Sequence, residues 1–254
     1  MKKLMAATRN VQNFSAVHGF LMQQDDEKMA LVHGEPGTGK TTTAKFFAEQ
    51  MGAVFISAVP CITRFGLVKA ILNQMDATCR SYAAGITKVI KMLSERQVPI
   101  FVDEADYLLH DTMLMEILRS LHDQAGVPVL LFGMPGFHNK IRSHKQLCDR
   151  IHTLEFTNCD LRDTRLIADA RCEVKVADDL LKEIHEFTEG NLRLIKRCLA
   201  HVEAHAMAMG WDVCSKQEWG TQPLLPMPAS LEIPGFKKAK KSGMPTSSKK
   251  TRSA

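Results

Sequence analysis

The chain has 254 residues, of which 45% are hydrophobic, and its net charge is +5 at pH 7. This length and composition are typical of a globular protein with one large domain, or one domain and a small partner. No apolar run approaches the roughly 20 residues of a membrane span, and the N-terminus has no signal-peptide core. We therefore expect a cytoplasmic protein that does not contact a membrane.

The first predicted elements are an N-terminal helical extension, residues 1–24, and a buried strand at residues 29–33. The sequence GEPGTGKT of residues 34–41 follows, with the G-x-x-x-x-G-K-[ST] spacing of a nucleotide-binding P-loop. Residues 42–51 then carry apolar side chains at helical spacing. Because strand, loop and helix come in the order that a P-loop requires, the sequence predicts binding of a nucleoside triphosphate.

Each part of this loop has a chemical role. The glycines allow the backbone to aim N–H groups at phosphate oxygens. Lys40 supplies a charge for the outer phosphates, and the Thr41 hydroxyl is a ligand for Mg²⁺ beside the positive end of the helix. The predicted nucleotide-binding residues are Gly34, Glu35, Pro36, Gly37, Thr38, Gly39, Lys40, Thr41 and Thr42.

A second motif follows an apolar strand at residues 98–102. Asp103 comes at the end of this strand, where it can hold Mg²⁺ through water. Glu104 is the predicted general base that orients or deprotonates the attacking water. Asp106 is a third acidic residue nearby, and its position also fits a cap of the next helix.

The remaining elements complete an α/β pattern. Strands are predicted at residues 53–59, 127–132 and 151–156, with helical segments between the successive strands, which favours a parallel five-stranded sheet. Three amphipathic helices follow, at residues 160–172, 177–188 and 191–209. The predicted organisation is an N-terminal extension, an α/β nucleotide-binding subdomain, a small helical subdomain, and a Pro-rich linker with a basic tail, at residues 1–24, 25–157, 158–210 and 211–254.

The distribution of charge predicts the state of the C-terminal tail, and the spacing of the cysteines predicts their redox state. Residues 236–254 contain seven basic residues and no acid, and removing these seven from the net charge of +5 leaves −2. We expect this tail to be disordered. The seven cysteines lack the spacing of a zinc site and are predicted to be reduced and mostly buried.

The motifs GEPGTGKT and IFVDEADYL, followed by a helical subdomain, resemble the AAA+ ATPases over residues 25–210. This resemblance implies a preference for ATP, with Mg²⁺, and its hydrolysis to ADP and phosphate. It also implies two catalytic arginines. Arg150 matches the arginine that reaches a neighbouring subunit's γ-phosphate, with Arg142 as a nearby rival, and Arg193 matches the arginine of the helical lid.

One departure and three details narrow the resemblance. The sequence LFGMP of residues 131–135 lacks the polar residue that ends this strand in many AAA+ proteins, so we expect hydrolysis to be slow or partner-dependent. Three segments are similar to the transposition regulators of the phage Mu B, TnsC and TniB group: the Gly-Met-Pro sequence that ends LFGMP, the sequence DEADYL and the sequence GNLR. That group implies ATP-dependent, nonspecific binding of double-stranded DNA, self-assembly into filaments or rings, and delivery of target DNA to a DDE transposase. A phage-encoded member would act in the host cytoplasm.

The resemblance also points to DNA-contacting residues after the second strand. They are Thr63, Arg64, Lys69, Lys88 and Lys91, with the basic tail as a further candidate. Since about 25 residues before the first strand leave no room for the N-terminal helix-turn-helix domain of phage Mu B, we expect DNA contacts from the ATPase body or the tail. Two alternatives stay open: a helicase-loader-like AAA+ protein of DNA replication, and a signalling or secretion ATPase with no DNA role.

Overall fold

The computed structural model of the protein describes residues 5–24, 28–141 and 151–226. The strands are Met29–Gly34 (β1), Val54–Ser57 (β2), Ile100–Asp103 (β3), Val129–Gly133 (β4), Ile151–Phe156 (β5), Lys175–Val176 (β6) and Val213–Cys214 (β7). The helices are Arg9–Gln23 (α1), Lys40–Met51 (α2), Arg64–Gln74 (α3), Tyr82–Arg96 (α4), Thr112–Ala125 (α5), Pro135–Ile141 (α6), Leu161–Arg171 (α7), Asp178–Thr188 (α8), Leu192–Met209 (α9) and Lys216–Trp219 (α10). A 3-10 helix, Ala105–His110, follows β3.

The main sheet has the strand order β2-β3-β4-β1-β5, and all of its pairings are parallel. This confirms the predicted parallel five-stranded sheet. In a parallel sheet the carboxyl ends of all strands lie at one edge. The P-loop after β1, Asp103 at the end of β3 and Gly133 at the end of β4 therefore meet at the same edge.

Both faces of this sheet are covered by helices. Met29 and Leu31 of β1 belong to a buried cluster with side chains of α3, α4 and α5. Their neighbours Ala30 and Val32 belong to a cluster on the other face with side chains of α1 and α2. In α1, the ring of Phe14 lies 4.8 Å from that of Phe47. The near-continuous apolar runs of the strands fit a sheet that is buried on both faces.

The three predicted helices after the sheet correspond to α7, α8 and α9, which share a second buried cluster. The prediction that residues 211–226 form a linker is wrong for this part of the chain. β7 pairs with β6, and Trp219 in α10 is only 1% exposed. Ser215 and Glu218 form a capping box that starts α10. Residues 227–254, with the basic tail, lie outside the described residues.

Two further findings concern membrane spans and cysteines in the described part of the chain. No helix in the described ranges has both the length and the apolar character that a membrane crossing needs. Six cysteines lie in these ranges, and all six are free thiols. Four of them are buried, whereas Cys79 is half-buried and Cys61 is exposed.

Candidate nucleotide-binding site

A cleft of about 360 Å³ lies at the carboxyl edge of the sheet. Its walls come from the P-loop, from the ends of β3 and β4, and from the first turns of α9. The predicted residues that line it are Pro36, Gly37, Gly39, Lys40, Thr41, Thr42, Asp103, Glu104 and Arg193. Residues from four separate parts of the sequence thus meet in one cleft.

The P-loop backbone has the conformation that its glycines allow. Gly37 and Gly39 have φ angles of +90° and +103°, which side chains of L-residues disfavour. The Lys40 ammonium donates hydrogen bonds to the carbonyls of Gly34, at 2.6 Å, and Glu35, at 3.0 Å. Burial lowers the pKa of Lys40, and the carboxylates of Glu104 and Asp103 act in the opposite direction. Lys40 thus lies against the loop, close to both acidic residues.

Asp103 and Glu104 differ in burial and backbone conformation. Asp103 ends a fully buried strand and is 4% exposed, whereas Glu104 is exposed. Glu104 has a φ of +54°, an uncommon value for a residue with a side chain. Such strain is found at functional sites, where the surrounding structure holds it in place. Here it lies directly after β3, at a residue that lines the cleft.

The oxygen donors of this cleft fit a magnesium ion. In the described ranges the Asp103 carboxylate has no hydrogen bond or ion pair, although it is buried. Thr41 lines the same cleft. No group of three or more His, Cys, Asp or Glu side chains in the described part could hold a metal by itself. This fits Mg²⁺, which proteins bind through one or two side chains together with substrate phosphates and water.

Asp106 connects the ends of two strands. Its carboxylate accepts a hydrogen bond of 2.8 Å from the backbone N–H of Met134, directly after β4. The alternative that Asp106 caps the next helix is wrong, because Asp111 caps α5 by accepting from the N–H of Met113. Asp106 therefore places a carboxylate where β4 itself offers no polar side chain.

Direct hydrogen bonds join the P-loop to the start of α9. The side-chain amide of Asn191 donates to the Pro36 carbonyl at 2.9 Å, and the N–H of Arg193 donates to the Gly37 carbonyl at 3.1 Å. The Asn191 side-chain oxygen caps α9 by accepting from the N–H groups of Arg193 and Leu194. A Cβ atom on Gly37 would overlap the Asn191 side chain.

A substitution of Asn191 tests this connection. We expect Asn191→Ala to lower the free energy of unfolding by about 1 kcal/mol through the lost cap, and to change nucleotide affinity as well. Asp160→Ala is a matched control, because Asp160 caps α7 in the same way, by accepting from the N–H of Asp163. Thermal unfolding and nucleotide titration of both variants separate the two effects. Equal nucleotide affinities in the two variants would show that the Asn191 contact has no role in binding.

Three basic residues of α9 line the cleft, at positions i, i+3 and i+4. They are Arg193, Lys196 and Arg197. Arg193 was predicted, but Lys196 and Arg197 were not, although their spacing puts them on one helix face with Arg193. Arg150 and its rival Arg142 lie outside the described residues.

A second, narrower cavity of about 20 Å³ adjoins the cleft. Its walls include residues of the N-terminal segment, the P-loop, α7 and α9. Asn10 of α1 fixes this arrangement, because its side-chain amide donates to the carbonyls of Thr38 at 3.3 Å and Thr157 at 2.8 Å. Sequence reasoning assigned no site residue to α1, and a single buried asparagine gives no periodic signal that could have revealed it.

The predicted DNA-contacting residues all lie on the surface, away from the cleft. Each also has a partner in the chain. The Arg64 guanidinium forms an ion pair of 2.7 Å with Asp111, and Lys69 lies 4.3 Å from the centre of the Phe65 ring. In the same region, Thr63 caps α3, Lys88 donates to the Thr78 carbonyl, and Lys91 faces Glu95.

Comparison with known proteins identifies the fold that carries this cleft. Residues 23–141 match a family model described as an AAA domain. The structure is also similar to that of Cdc6p from Pyrobaculum aerophilum, with a TM-score of 0.59 and 16% identity over 84% of this chain and 65% of that chain. The chain therefore has the AAA+ P-loop fold, as the sequence predicted.

Other similar structures agree on the fold. Aeropyrum pernix ORC1, solved in complex with DNA, gives a TM-score of 0.57 at 17% identity, over 85% of this chain and 64% of that chain. A RuvB mutant of Thermotoga maritima gives 0.57 at 19% identity, over 84% of this chain and 68% of that chain. Identities this low establish the fold alone.

A relative was found by sequence comparison. The chain is 30% identical over 128 residues to a protein of Staphylococcus aureus described as a "Potential ATP-binding protein". The match covers 46% of this chain and 46% of that protein, so the chain spans about half the length of this curated relative. The ATP-binding description belongs to that protein.

Proposed function

We propose that this protein is an ATP-dependent, sequence-nonspecific DNA-binding AAA+ ATPase that assembles on target DNA and recruits or activates a DDE transposase. The observation that carries the ATPase part is the cleft in which Lys40, Asp103 and Glu104 meet the basic face of α9. The transposition part rests on the resemblance of three segments to the transposition regulators: Gly-Met-Pro at the end of the fourth strand, DEADYL and GNLR.

The cleft suits hydrolysis of ATP. Lys40 and the P-loop N–H groups bind the outer phosphates. Thr41 and Asp103 would hold Mg²⁺, which would neutralise the negative charge that develops on these phosphates. Glu104 accepts a proton as the water oxygen bonds to the γ-phosphorus. The bond to the β,γ-bridging oxygen breaks, and ADP leaves with that electron pair. Arg193 stabilises the γ-phosphate from the helical side, and Arg150 of a neighbouring copy completes the site.

The adjoining cavity is the proposed place of the adenine base. At about 20 Å³ it holds no more than a water molecule, so a base enters only when its walls separate. Those walls belong to the N-terminal segment and to the C-terminal helices. Nucleotide binding would therefore move the helical subdomain against the sheet, and assembly on DNA is the proposed consequence of this movement.

The proposed DNA surface consists of the exposed side chains named above. Lys69, Lys88 and Lys91 lie on the surface of α3 and α4, where they can neutralise phosphates without reading bases. Arg64 must exchange Asp111 for a phosphate to contribute. The DNA-bound state of Aeropyrum pernix ORC1 supports a DNA ligand for this fold.

A helicase loader of DNA replication is the second candidate. It would share the ATPase core, so the nucleotide-binding cleft fits it equally well. The partner separates the two candidates. Co-purification with a DDE transposase, but not with a replicative helicase, would support the transposition regulator, and the reverse would support the loader.

Titration with labelled duplexes of unrelated sequence tests the DNA part. We expect the affinity to be similar for each duplex in the presence of a slowly hydrolysed ATP analogue. With ADP we expect the affinity to be lower by about tenfold or more, which corresponds to roughly 1.4 kcal/mol or more of coupling between nucleotide and DNA binding. DNA affinity that is the same with the analogue, with ADP and without nucleotide would contradict the proposal.

Deletion of residues 236–254 tests the tail. It removes seven basic residues, so we expect weaker DNA binding and a smaller slope of log affinity against log salt, by up to about 6 units for B-form DNA. The ATP affinity of the shortened chain, which keeps the whole cleft, is the control. An unchanged salt slope would remove the tail from the DNA-binding surface.

A further inference from the structure

Lys196 lies where the cleft and the narrow cavity meet. Three residues line both spaces: Thr42, Leu192 and Lys196. In a bound nucleotide the ribose and the α-phosphate lie between the base and the outer phosphates. If the base occupies the narrow cavity, the α-phosphate lies at this junction.

The Lys196 ammonium has no anionic partner in the described part of the chain. The side chain is half-buried, and it forms no hydrogen bond or ion pair there. Burial lowers its pKa, and the nearby Arg171 guanidinium lowers it further. Cys159 provides no compensating charge, because burial raises the pKa of its thiol to about 12 and keeps it neutral at physiological pH.

A cation in this position costs free energy unless an anion joins it, since burial disfavours an unpaired charge. Other lysines near the C-terminal helices are placed differently. Lys182 of α8 is exposed and faces Glu186 at 3.9 Å, and Lys216 faces Glu183 at 3.2 Å. Lys196 is therefore suited to an anion that arrives from outside the chain.

The neighbouring Arg193 occupies a different part of the site. It lines the cleft but not the narrow cavity, and its backbone N–H donates to the Gly37 carbonyl. Lys196 is three residues further along α9, about 4.5 Å along the helix axis. Of the three basic residues of α9 that line the cleft, Lys196 also lines the narrow cavity, whereas Arg193 and Arg197 do not.

We propose that Lys196 is a nucleotide-binding residue that contacts the α-phosphate, an inference that rests on the nucleotide-binding function proposed above. Because ADP and ATP share this phosphate, Lys196 contacts either nucleotide and links α9 to it. Arg193, at the outer phosphates, distinguishes ATP from ADP. The helical subdomain would then contact any bound nucleotide through Lys196, and the γ-phosphate of ATP through Arg193.

The test is Lys196→Met in the full chain, with the dissociation constants for ADP and for a slowly hydrolysed ATP analogue measured by calorimetry. We expect both affinities to fall by a similar factor of about tenfold or more, as for a charge-assisted hydrogen bond. Lys196→Arg should retain most of the affinity. Lys182→Met is the matched control and should leave both constants unchanged.

A second readout separates a ligand contact from a structural role. Because Lys196→Met removes an unpaired, half-buried charge, the unliganded variant should unfold at the same or a higher temperature than the wild type. A structural lysine would instead give lower stability together with lower affinity. Lys196→Gln provides the same test if the methionine variant does not fold.

The outcomes are distinct. Unchanged affinity for both nucleotides would overturn the proposal. Loss of affinity for the ATP analogue alone would overturn the assignment to the α-phosphate, because only the γ-phosphate differs between the ligands. If the wild-type protein binds neither nucleotide, the proposed function itself fails, and the inference fails with it.

Discussion

Replacing Lys40 with alanine is expected to reduce ATP affinity by about 100-fold or more, which corresponds to roughly 3 kcal/mol for a charge-assisted contact. The Lys40 ammonium is already held at the P-loop, 2.6 Å from the Gly34 carbonyl, beside the carboxylates of Asp103 and Glu104. Its removal leaves the cleft with the acidic pair and without the cation that faces the outer phosphates. ATP-dependent assembly on DNA should be lost with ATP binding.

Lys45→Ala is the matched control for this change. Lys45 lies on the same helix and is exposed, with its ammonium 5.8 Å from the centre of the Phe55 ring, and it does not line the cleft. Titration of both variants with a fluorescent ATP analogue measures the difference directly. Wild-type affinity in Lys40→Ala would show that this loop is not a nucleotide site.

Glu104→Gln should separate ATP binding from hydrolysis. Glutamine keeps the size of the side chain but cannot accept a proton from water, so we expect kcat to fall by about 10² to 10⁴-fold while ATP affinity stays close to the wild-type value. The variant should accumulate in its ATP-bound form on DNA. Phosphate release and ATP titration, measured in parallel, test the two halves of this prediction.

Glu49→Gln is the control for Glu104→Gln, because Glu49 is an exposed acid near the end of α2 that does not line the cleft. Its turnover should equal that of the wild type. If Glu104→Gln hydrolyses ATP at the wild-type rate, another group must orient the attacking water. Asp106 would then be the first residue to examine, because its carboxylate lies beside Gly133, which lines the cleft.

Local signals predicted much of the fold and the first half of the site. Apolar runs placed the five strands of the main sheet within a few residues, because a parallel sheet that is buried on both faces needs continuous apolar sequence. The P-loop was visible because its chemistry depends on consecutive residues. Asp103 and Glu104 were visible because they follow a buried strand directly.

Other parts of the site depend on contacts between residues that are distant in sequence. Asn10 meets Thr157 across 147 residues, and Asp106 meets Met134 across 28. No periodicity marks such pairs, so Asp106 also fitted a helix cap and Asn10 received no role. Lys196 was also missed, although its spacing puts it on one helix face with Arg193. Its proposed role depends on the two cavities that meet beside it.

The segment after α9 shows a different limit. Residues 211–226 contain one strand of two residues and one helix of four, too short to show a hydrophobic period. Trp219 nevertheless packs into the cluster of the C-terminal helices and is 1% exposed. Its indole N–H donates to the Gln222 carbonyl at 3.0 Å. Tertiary packing keeps this segment folded, together with the capping box of Ser215 and Glu218.

The most direct test of the central proposal is negative-stain electron microscopy of the protein with duplex DNA. Samples with a slowly hydrolysed ATP analogue, with ADP and without nucleotide should be compared at several salt concentrations, with Lys40→Ala as the control. Filaments or rings on DNA that form only with the ATP analogue, and never with Lys40→Ala, are the predicted result. Particles that look the same in all conditions, with or without DNA, would contradict ATP-dependent assembly on DNA.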